Sequence, residues 1–162
     1  MLDLEKVESP FSLLGCTIDE LNLKNHLVFL GNNTKQECML NIDVSHANHE
    51  KEDHVYFGIV KLTIKVVLIT ENDPVQDTMS MIIEGGFSAP EDIGKEQFLK
   101  LLTINGASML YSIARGKIEM ITGATFNHGK VTLPVININK YYEEEQKAAQ
   151  KEQKDEAAPQ KT

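Results

Sequence analysis

The chain has 162 residues, of which 41% are hydrophobic and 25% charged, so it can form one domain that buries about two thirds of its unfolded surface. Its net charge of −8 repels nucleic-acid phosphates and anionic lipid, and its single arginine, Arg115, leaves no pair of guanidinium groups to clamp a phosphate. We therefore expect no nucleic acid and no membrane surface among its partners.

The beginning of the chain, MLDLEKVESPF, lacks the long apolar region of a secretory signal. No stretch approaches the roughly 18–20 consecutive apolar residues of a transmembrane helix. Cys16 and Cys38 lack the CxxC spacing of zinc and redox sites, so both are expected to be small core residues with reduced thiols. These features predict a cytoplasmic protein without membrane insertion.

Four segments show the apolar–polar alternation of strands that bury one face. The first, FSLLGCTIDELNLKNHLVF, is irregular, and the second is ECMLNIDV. The third and clearest is VYFGIVKLTIKVVLIT, in which Val67 and Ile69 interrupt the polar parity and predict burial on both sides near the end. Its buried parity consists of Val60, Leu62, Ile64, Val66 and Leu68. The fourth, VQDTMSMII, follows the turn ENDP, and the hairpin succession predicts a small antiparallel sheet.

The stretch MSMIIEGGFSAP places two adjacent glycines after the fourth predicted strand. It lacks the GxGxxG and P-loop patterns of phosphate-binding loops, and no basic residue follows closely. We therefore interpret Gly85 and Gly86 as a bulge or tight bend that ends the strand and turns the chain toward a helix. Met79 and Met81 are predicted to pack beneath that helix.

After Pro90 the spacing of apolar residues becomes helical. Ser88 and Glu91 have the spacing of a capping box, and KEQFLKLLT is typical of a helix. Asn105 and Gly106 are predicted to interrupt this helix before a longer one begins. One apolar face of the longer helix consists of Ala107, Leu110, Tyr111, Ala114, Ile118 and Ile121.

The longer helix is also apolar on nearly its opposite face, which carries Met109, Ile113 and Met120. A single small sheet covers only one of these faces, so the helix needs a second covering surface. Another copy of the protein would supply it; the alternative is a two-sided core within a monomer. Close approach of a second copy is permitted by Gly106, Ala107, Ser108, Ala114 and Gly116.

The end of the chain, KYYEEEQKAAQKEQKDEAAPQKT, loses its apolar periodicity after Tyr141 and Tyr142. We expect helix in its first turns and a frayed, disordered tail beyond about Lys151. The predicted organisation is a single domain over residues 1–142 and a charged, partly helical to disordered tail over residues 143–162.

Patterns that indicate catalysis or metal binding are weak. The segment SHANHEKEDH places His46, His49 and His54 among carboxylates, which are residue types that suit a transition metal. No HExxH or CxxC framework supports such a site, and we interpret the segment as a solvated loop between strands. There is no GxSxG motif, and neither cysteine has a histidine nearby in sequence. We therefore predict no enzyme activity, no metal site and no cofactor.

Taken in chain order, these segments resemble the export chaperone SecB over roughly residues 11–142. MLNIDVSHA and DHVYFGIVKLTIKVVLI look like the second and third strands of that family, and IIEGGFS resembles its Gly-Gly-aromatic-Phe strand ending. NGASMLYSIARGKIEMIT is similar to the motif of its main helix, with matches at Asn105, Leu110, Ala114 and Arg115. VTLPVININKYY resembles the Leu-x-Pro-Val-Asn-Phe segment that leads into its last helix.

The resemblance implies an α+β fold, a four-stranded antiparallel sheet followed by two or three helices packed on one face. It further implies a homo-oligomer, either a dimer or a dimer of dimers, and an ATP-independent chaperone that binds unfolded polypeptides in apolar grooves. The implied oligomer interface consists of Gly106, Ala107, Met109, Leu110, Tyr111, Ile113, Ala114 and Ile118. The implied peptide-binding groove consists of Leu27, Val28, Phe29, Leu30, Leu40, Ile42, Val44, Ile138, Tyr141 and Tyr142. Ordinary core packing is the alternative for each groove residue.

The sequence also departs from the family. Family members engage the translocase motor ATPase through acidic positions on the outer sheet. Asp19 matches one such position, whereas Leu23 and Ser80 stand where acids are expected. The motor ATPase is thus implied as a partner by one position only, which indicates a diverged branch. Two other functions are compatible with the residues: an adaptor of the same fold for one dedicated protein partner, and a carrier of a small apolar ligand.

Overall fold

The computed structural model describes residues 9–26, 34–47, 54–70, 76–126 and 129–156. The strands are β1 (Ser12–Lys24), β2 (Thr34–Ala47), β3 (Val55–Thr70) and β4 (Asp77–Pro90). They are followed by a 3-10 turn (Glu91–Ile93), α1 (Lys95–Leu101), a π-helical turn (Leu102–Gly106), α2 (Ala107–Thr125) and α3 (Ile138–Glu156).

The four strands form one antiparallel sheet in the order β1-β4-β3-β2. β2, β3 and β4 pair in chain succession, whereas β1 pairs with β4, so β1 and β2 are the two edge strands. The predicted α+β class, with a four-stranded antiparallel sheet followed by helices, is confirmed.

The alternation along β3 decides which side of the sheet the helices cover. The side chains buried between the sheet and the helices include Val60, Leu62, Ile64, Val66 and Leu68. Val67, of the other parity, is also buried and Ile69 is half-buried, which confirms the predicted burial on both sides near the strand end. Met79 and Met81 of β4 are fully buried in the same core, as predicted.

The paired glycines of β4 do not bend the chain. β4 continues through Gly85 and Gly86 to Pro90, so the prediction that the strand ends at the glycines is wrong. Neither glycine has a positive φ. A Cβ at Gly85 would lie 3.1 Å from a methyl carbon of Leu110, so the missing side chain lets α2 approach the sheet closely. The glycine provides space rather than conformational freedom.

The predicted interruption at Asn105 and Gly106 coincides with a π-helical turn (Leu102–Gly106), after which the longer helix α2 begins at Ala107. The π turn is wider than an α-helical turn, and it joins α1 to α2 without a non-helical gap. A Cβ at Gly106 would lie 3.2 Å from a methyl carbon of Val60, so close packing against β3 outweighs the low helix propensity of glycine. The predicted capping box is also wrong, because Ser88 belongs to β4 and α1 begins after Gly94 without a side-chain cap from any described residue.

α2 lies across the helix-facing side of the sheet, with Leu110 fully buried beneath it. The extended segment after α2 is fixed along one flank of the helix. The Tyr111 hydroxyl donates to the carbonyl oxygen of Pro134 at 2.7 Å, and Arg115 Nε donates to that of Leu133 at 3.1 Å. These two hydrogen bonds hold the extended segment against α2 before the chain reaches the start of α3.

α3 extends from Ile138 to Glu156. Its sequence is rich in Glu, Gln, Lys and Ala, which have high helix propensity. Lys147 Nζ also donates to Glu144 Oε1 at 2.8 Å along the exposed surface of the helix. Helix propensity therefore extends α3 beyond the point where apolar periodicity stops.

Candidate functional site

The helix-facing side of β2 carries the apolar row Leu40, Ile42 and Val44. Ile42 is buried, and its two neighbours are half-buried against the core. Because β2 is an edge strand, this row lies at the margin of the core rather than at its centre.

The first turns of α3 supply the other side of this margin. Ile138 is buried, and Tyr141 and Tyr142 are half-buried, with their ring centroids 5.3 Å apart in an edge-to-face contact. The Tyr141 hydroxyl accepts a hydrogen bond from the backbone N–H of Ile42 at 3.3 Å, which satisfies a donor on the open edge of β2. We name the surface formed by Leu40, Ile42, Val44, Ile138, Tyr141 and Tyr142 the β2–α3 seam.

The seam contains one poorly satisfied polar group. The Tyr142 hydroxyl is buried and has no hydrogen-bond partner within the described part of the chain. Desolvation by burial, assisted by the nearby negative charge of Glu145, raises the pKa of Tyr142 to about 12. Burial also raises the pKa of Tyr141. Leaving a buried donor unsatisfied costs about 1–3 kcal/mol, so the docking of α3 on β2 carries a local penalty.

Beyond the tyrosines, α3 has no further apolar contact among its described side chains. Residues 143–148 are all exposed, and the helix continues to Glu156. Asp43 on β2 and Glu145 on α3 both act electrostatically on Tyr142, so the rim of the seam is acidic. Among the described side chains, α3 is therefore attached to the sheet through its first turns, at a site with an acidic border.

Four predicted groove residues lie outside the described residues: Leu27, Val28, Phe29 and Leu30. The two residues that directly precede them, Asn25 and His26, are hydrogen-bonded to other elements of the fold. Asn25 Nδ2 donates to the carbonyl oxygen of Thr125 at 2.6 Å, at the end of α2. The backbone N–H of His26 donates to Asp77 Oδ1 at 2.9 Å, at the start of β4.

The predicted interface residues of α2 fall into two sets. Those buried within the chain are Gly106, Ala107, Leu110, Tyr111, Ala114 and Ile118. Met109 is 40% exposed, Ile113 is half-buried, and the neighbouring Met120 is 68% exposed. α2 therefore buries one apolar face against its own sheet and leaves the other, which we name the outer face of α2 (Met109, Ile113 and Met120), at the surface of the chain.

Several exposed apolar side chains were not singled out from the sequence: Leu14, Leu21, Val55, Phe57 and Val135, together with Met39. For Leu14 a signal exists, because two consecutive leucines before a glycine break the strand alternation. The register of β1 against β4 does shift between Leu13 and Gly15, which leaves Leu14 as the extra residue of a bulge.

The remaining sequence candidates are scattered. His46 is exposed, His54 Nδ1 contacts Glu91 Oε2 at 3.0 Å, and His49 lies outside the described residues. The described residues contain no group of three or more His, Cys, Asp or Glu side chains that could hold a metal ion. Cys16 is half-buried, but Cys38 is exposed on edge strand β2, so its prediction as a core residue is wrong. None of the helices formed by the described residues is long and apolar enough to cross a membrane.

The three positions compared with motor-docking acids do not share one face. Lys61 Nζ lies 3.3 Å from Asp19 Oδ2 and 2.7 Å from Glu84 Oε1, on the side of the sheet away from the helices. Leu23 instead pairs with the buried Met79 and packs against the core on the helix-facing side. The pairing of β1 and β4 thus removes Leu23 from the outer face.

No protein-family model matches this chain, and no curated protein sequence matches it either. Among solved structures, it is similar to the Mycobacterium tuberculosis Rv1957 SecB-like chaperone in complex with a ChAD peptide from the Rv1956 HigA1 antitoxin. The TM-score is 0.60 at 12% identity, covering 78% of this chain and 91% of that one. A protein of unknown function from Streptococcus agalactiae is similar with a TM-score of 0.48 at 13% identity, covering 77% of this chain and 97% of that one. The first of these similarities confirms the SecB-like fold predicted from the order of the sequence segments.

Proposed function

We propose that this protein is an ATP-independent chaperone that binds unfolded or partly folded polypeptides through the β2–α3 seam and residues 27–30. The SecB-like fold supports a chaperone or adaptor role without enzymatic chemistry. The observation that carries the proposal is the seam itself, an apolar margin between an edge strand and a helix whose described contacts with the sheet come from its first turns.

The chemistry of the seam suits clients that share no sequence. Burial of apolar surface is non-directional, so any chain with exposed apolar side chains can gain from contact with the seam. β2 is also an edge strand, so an extended client can pair with it in the manner of an added strand. The acidic rim around Asp43 and Glu145 favours clients with basic segments.

The same proposal includes a homo-oligomer, either a dimer or a dimer of dimers, with the outer face of α2 at the interface. Met109 and Met120 project from this face, and the exposed residues between them, Ser112 and Gly116, are small. Small residues between apolar ones allow two helices to approach closely, and a second copy would remove the methionines from water.

We place this activity in the cytoplasm, with polypeptides destined for export among the clients. Docking to the translocase motor ATPase is not part of the proposal. Asp19 is already engaged by Lys61, and Leu23 packs against the core.

The chaperone proposal is tested by the light scattering of chemically denatured citrate synthase during refolding. The wild-type protein should suppress aggregation without ATP. The double variant Tyr141→Ser/Tyr142→Ser should lose most of this suppression, because it removes the aromatic part of the seam. Met39→Ser is the matched control, since it removes an exposed apolar side chain from the same strand but from the opposite side of the sheet. Absence of suppression by the wild type would refute the proposal, and equal suppression by the double variant would refute the placement of the site.

An adaptor for one dedicated protein is the second candidate. It is favoured by a specific observation, that the similar mycobacterial chaperone was solved with a peptide from an antitoxin. Affinity purification of the tagged chain separates the two functions. A single stoichiometric partner supports the adaptor, a spread of unfolded chains supports the general chaperone, and a stoichiometric small apolar molecule in native mass spectrometry supports neither.

A further inference from the structure

The methionines of the described chain fall into two classes. Met79 and Met81 of β4 are 1% and 0% exposed, within the core. Met39 of β2 is 49% exposed, and Met109 and Met120 of α2 are 40% and 68% exposed. A small solute in water can therefore reach the last three side chains of the folded chain but not the first two.

α2 separates its large apolar side chains by type. The aliphatic side chains that it buries completely are Leu110 and Ile118. The large apolar side chains that it leaves exposed, among the described residues, are both methionines. Met109 and Met120 are 11 positions apart, close to three helical turns, so they lie on one face of the helix about 16 Å apart along its axis.

The outer face of α2 has no ready hydrogen-bond donor beside these methionines. Its two serine hydroxyls are already engaged along the helix. Ser108 Oγ donates to the carbonyl oxygen of Ile104 at 2.6 Å, and Ser112 Oγ donates to that of Ser108 at 2.9 Å. An added acceptor on either methionine would therefore lose its water on contact with a second copy and gain no serine hydroxyl in exchange.

Oxidation adds such an acceptor. A lone pair of the thioether sulfur attacks one oxygen of a peroxide, the O–O bond breaks and an S–O bond forms, so that methionine sulfoxide and water are the products. Sulfur loses the two electrons that the peroxide gains. The side chain changes from an apolar group into a polar one, which disrupts interfaces that methionines build.

We propose that Met109 and Met120 form a modification site for peroxides, and that their oxidation to sulfoxide prevents two copies from associating through the outer face of α2. The inference rests on the homo-oligomer of the proposed function. Association covers both methionines, so the oxidant reaches them in the chains that are dissociated. An oxidised chain then stays apart until the sulfoxides are reduced, which makes the assembly sensitive to oxidants and reversible.

The test measures sedimentation of the full-length protein before and after treatment with hydrogen peroxide, followed by dithiothreitol. The dithiothreitol returns disulfides and sulfenic acids of Cys16 and Cys38 to thiols but leaves methionine sulfoxide in place. The treated protein should sediment as a smaller species, with the dissociation constant of self-association raised about a hundredfold or more. Methionine sulfoxide reductases should restore the original sedimentation coefficient.

Peptide mass spectrometry of the same samples locates the oxygen atoms. Sulfoxide is expected at Met109 and Met120, whereas unmodified Met79 and Met81 show that the core stayed closed during the treatment. Dilution supplies a readout that exposure alone does not move. Because association covers the site, oxidation of Met109 and Met120 should become faster as the protein is diluted, while the rate at Met39 stays constant.

Met109→Leu/Met120→Leu keeps apolar side chains of similar volume and removes both sulfur atoms. This variant should assemble as the wild type does and stay assembled after peroxide. Met39→Leu is the matched control, since it removes an exposed methionine from the sheet and should dissociate after peroxide like the wild type. The sedimentation and dilution measurements use the wild type, so they decide the question even where the double variant does not fold.

An assembly that persists with sulfoxide at both positions overturns the proposal. So does dissociation of Met109→Leu/Met120→Leu by peroxide to the same extent as the wild type, or a lack of oxidation at both positions in dilute protein whose Met39 is oxidised. In each of these outcomes the untreated protein is still an oligomer. An untreated wild type that is monomeric refutes the homo-oligomer and this inference together, so the two failures are distinguishable.

Discussion

The packing of the π turn (Leu102–Gly106) against β3 is tested by Gly58→Ala. Gly58 lies in β3, is buried, and pairs with Phe87 of β4. A Cβ at this position would lie 2.3 Å from Leu102 Cδ2, 3.2 Å from Cδ1 and 3.3 Å from Cγ. Carbon atoms in good contact are about 3.5–4.0 Å apart, so the new methyl group overlaps three atoms of one side chain.

Leu102 has little room to move away. It is fully buried in the π turn, where its side chain fills the space between β3 and the helix. Overpacking of this kind costs about 1–3 kcal/mol. Replacing glycine by alanine also reduces the freedom of the unfolded chain, which returns about 0.4–1 kcal/mol. We therefore expect Gly58→Ala to lower the free energy of unfolding by about 1–2 kcal/mol.

Urea denaturation measures this change. With a slope of about 2 kcal/mol per molar urea, the midpoint should fall by about 0.5–1 M at constant slope. All variants are compared at one protein concentration, because oligomerisation makes apparent stability depend on concentration. Gly15→Ala is the matched control, since it makes the same chemical change in an extended strand without any contact, and its midpoint should be unchanged or higher.

A midpoint for Gly58→Ala at or above that of the wild type would refute the described packing of the π turn on β3. The cause is checked in a Leu102→Ala background, where the overlapping atoms are absent. In that background Gly58→Ala should leave the free energy of unfolding unchanged. The coupling energy from the double-mutant cycle should then be close to the whole destabilisation that Gly58→Ala causes in the wild type. An equal cost in both backgrounds would mean that Gly58 is needed for another reason.

The remaining predictions concern the seam and the outer face of α2. Tyr142→Phe should raise the free energy of unfolding by about 1 kcal/mol, because it removes an unsatisfied hydroxyl. Tyr141→Phe should lower the free energy of unfolding by a similar amount, because the N–H of Ile42 loses its partner. Equal effects of the two variants in urea denaturation would contradict the assigned hydrogen bonds. The pKa of Tyr142 is raised from 10.0 to about 12, so the folded state holds the hydroxyl proton more tightly than the unfolded state does. The contribution of this difference to the free energy of unfolding is complete below pH 10 and is lost as the pH rises toward 12. Urea midpoints measured across this alkaline range should therefore fall more steeply for the wild type than for Tyr142→Phe, and parallel curves would contradict the burial of the hydroxyl. Met109→Asp/Met120→Asp should lower the sedimentation coefficient while the circular dichroism spectrum stays unchanged, and an unchanged coefficient would exclude the outer face of α2 from the interface.

The sequence predicts best where side chains report directly on burial. The alternation along β3 identifies the buried parity from Val60 to Leu68, and the two apolar faces of α2 follow from helical spacing. Glycine is harder to interpret, since it is equally suited to a turn and to close packing. Gly85 lies inside β4 and Gly106 ends the π turn, and at both positions a neighbouring methyl carbon lies only 3.1–3.2 Å from where a Cβ would be. Only the tertiary neighbour distinguishes these two uses.

The candidate site shows the same limit. Apolar residues on β2 and at the start of α3 are visible in the sequence, and the structure places those that it describes in one seam. What periodicity does not reveal is which strand is an edge. Cys38 is exposed because β2 is an edge strand of the sheet that the described residues form.

The proposed division between assembly and client binding follows from the strength of each attachment. Among the described side chains, α3 contacts the core through Ile138, Tyr141 and Tyr142, and the unsatisfied Tyr142 hydroxyl opposes this contact by about 1–3 kcal/mol. α2, by contrast, buries a complete face in the core and cannot leave the sheet without unfolding it. We therefore assign client binding to the seam, whose helix is held by few side chains, and assembly to the outer face of α2, a helix fixed in the core.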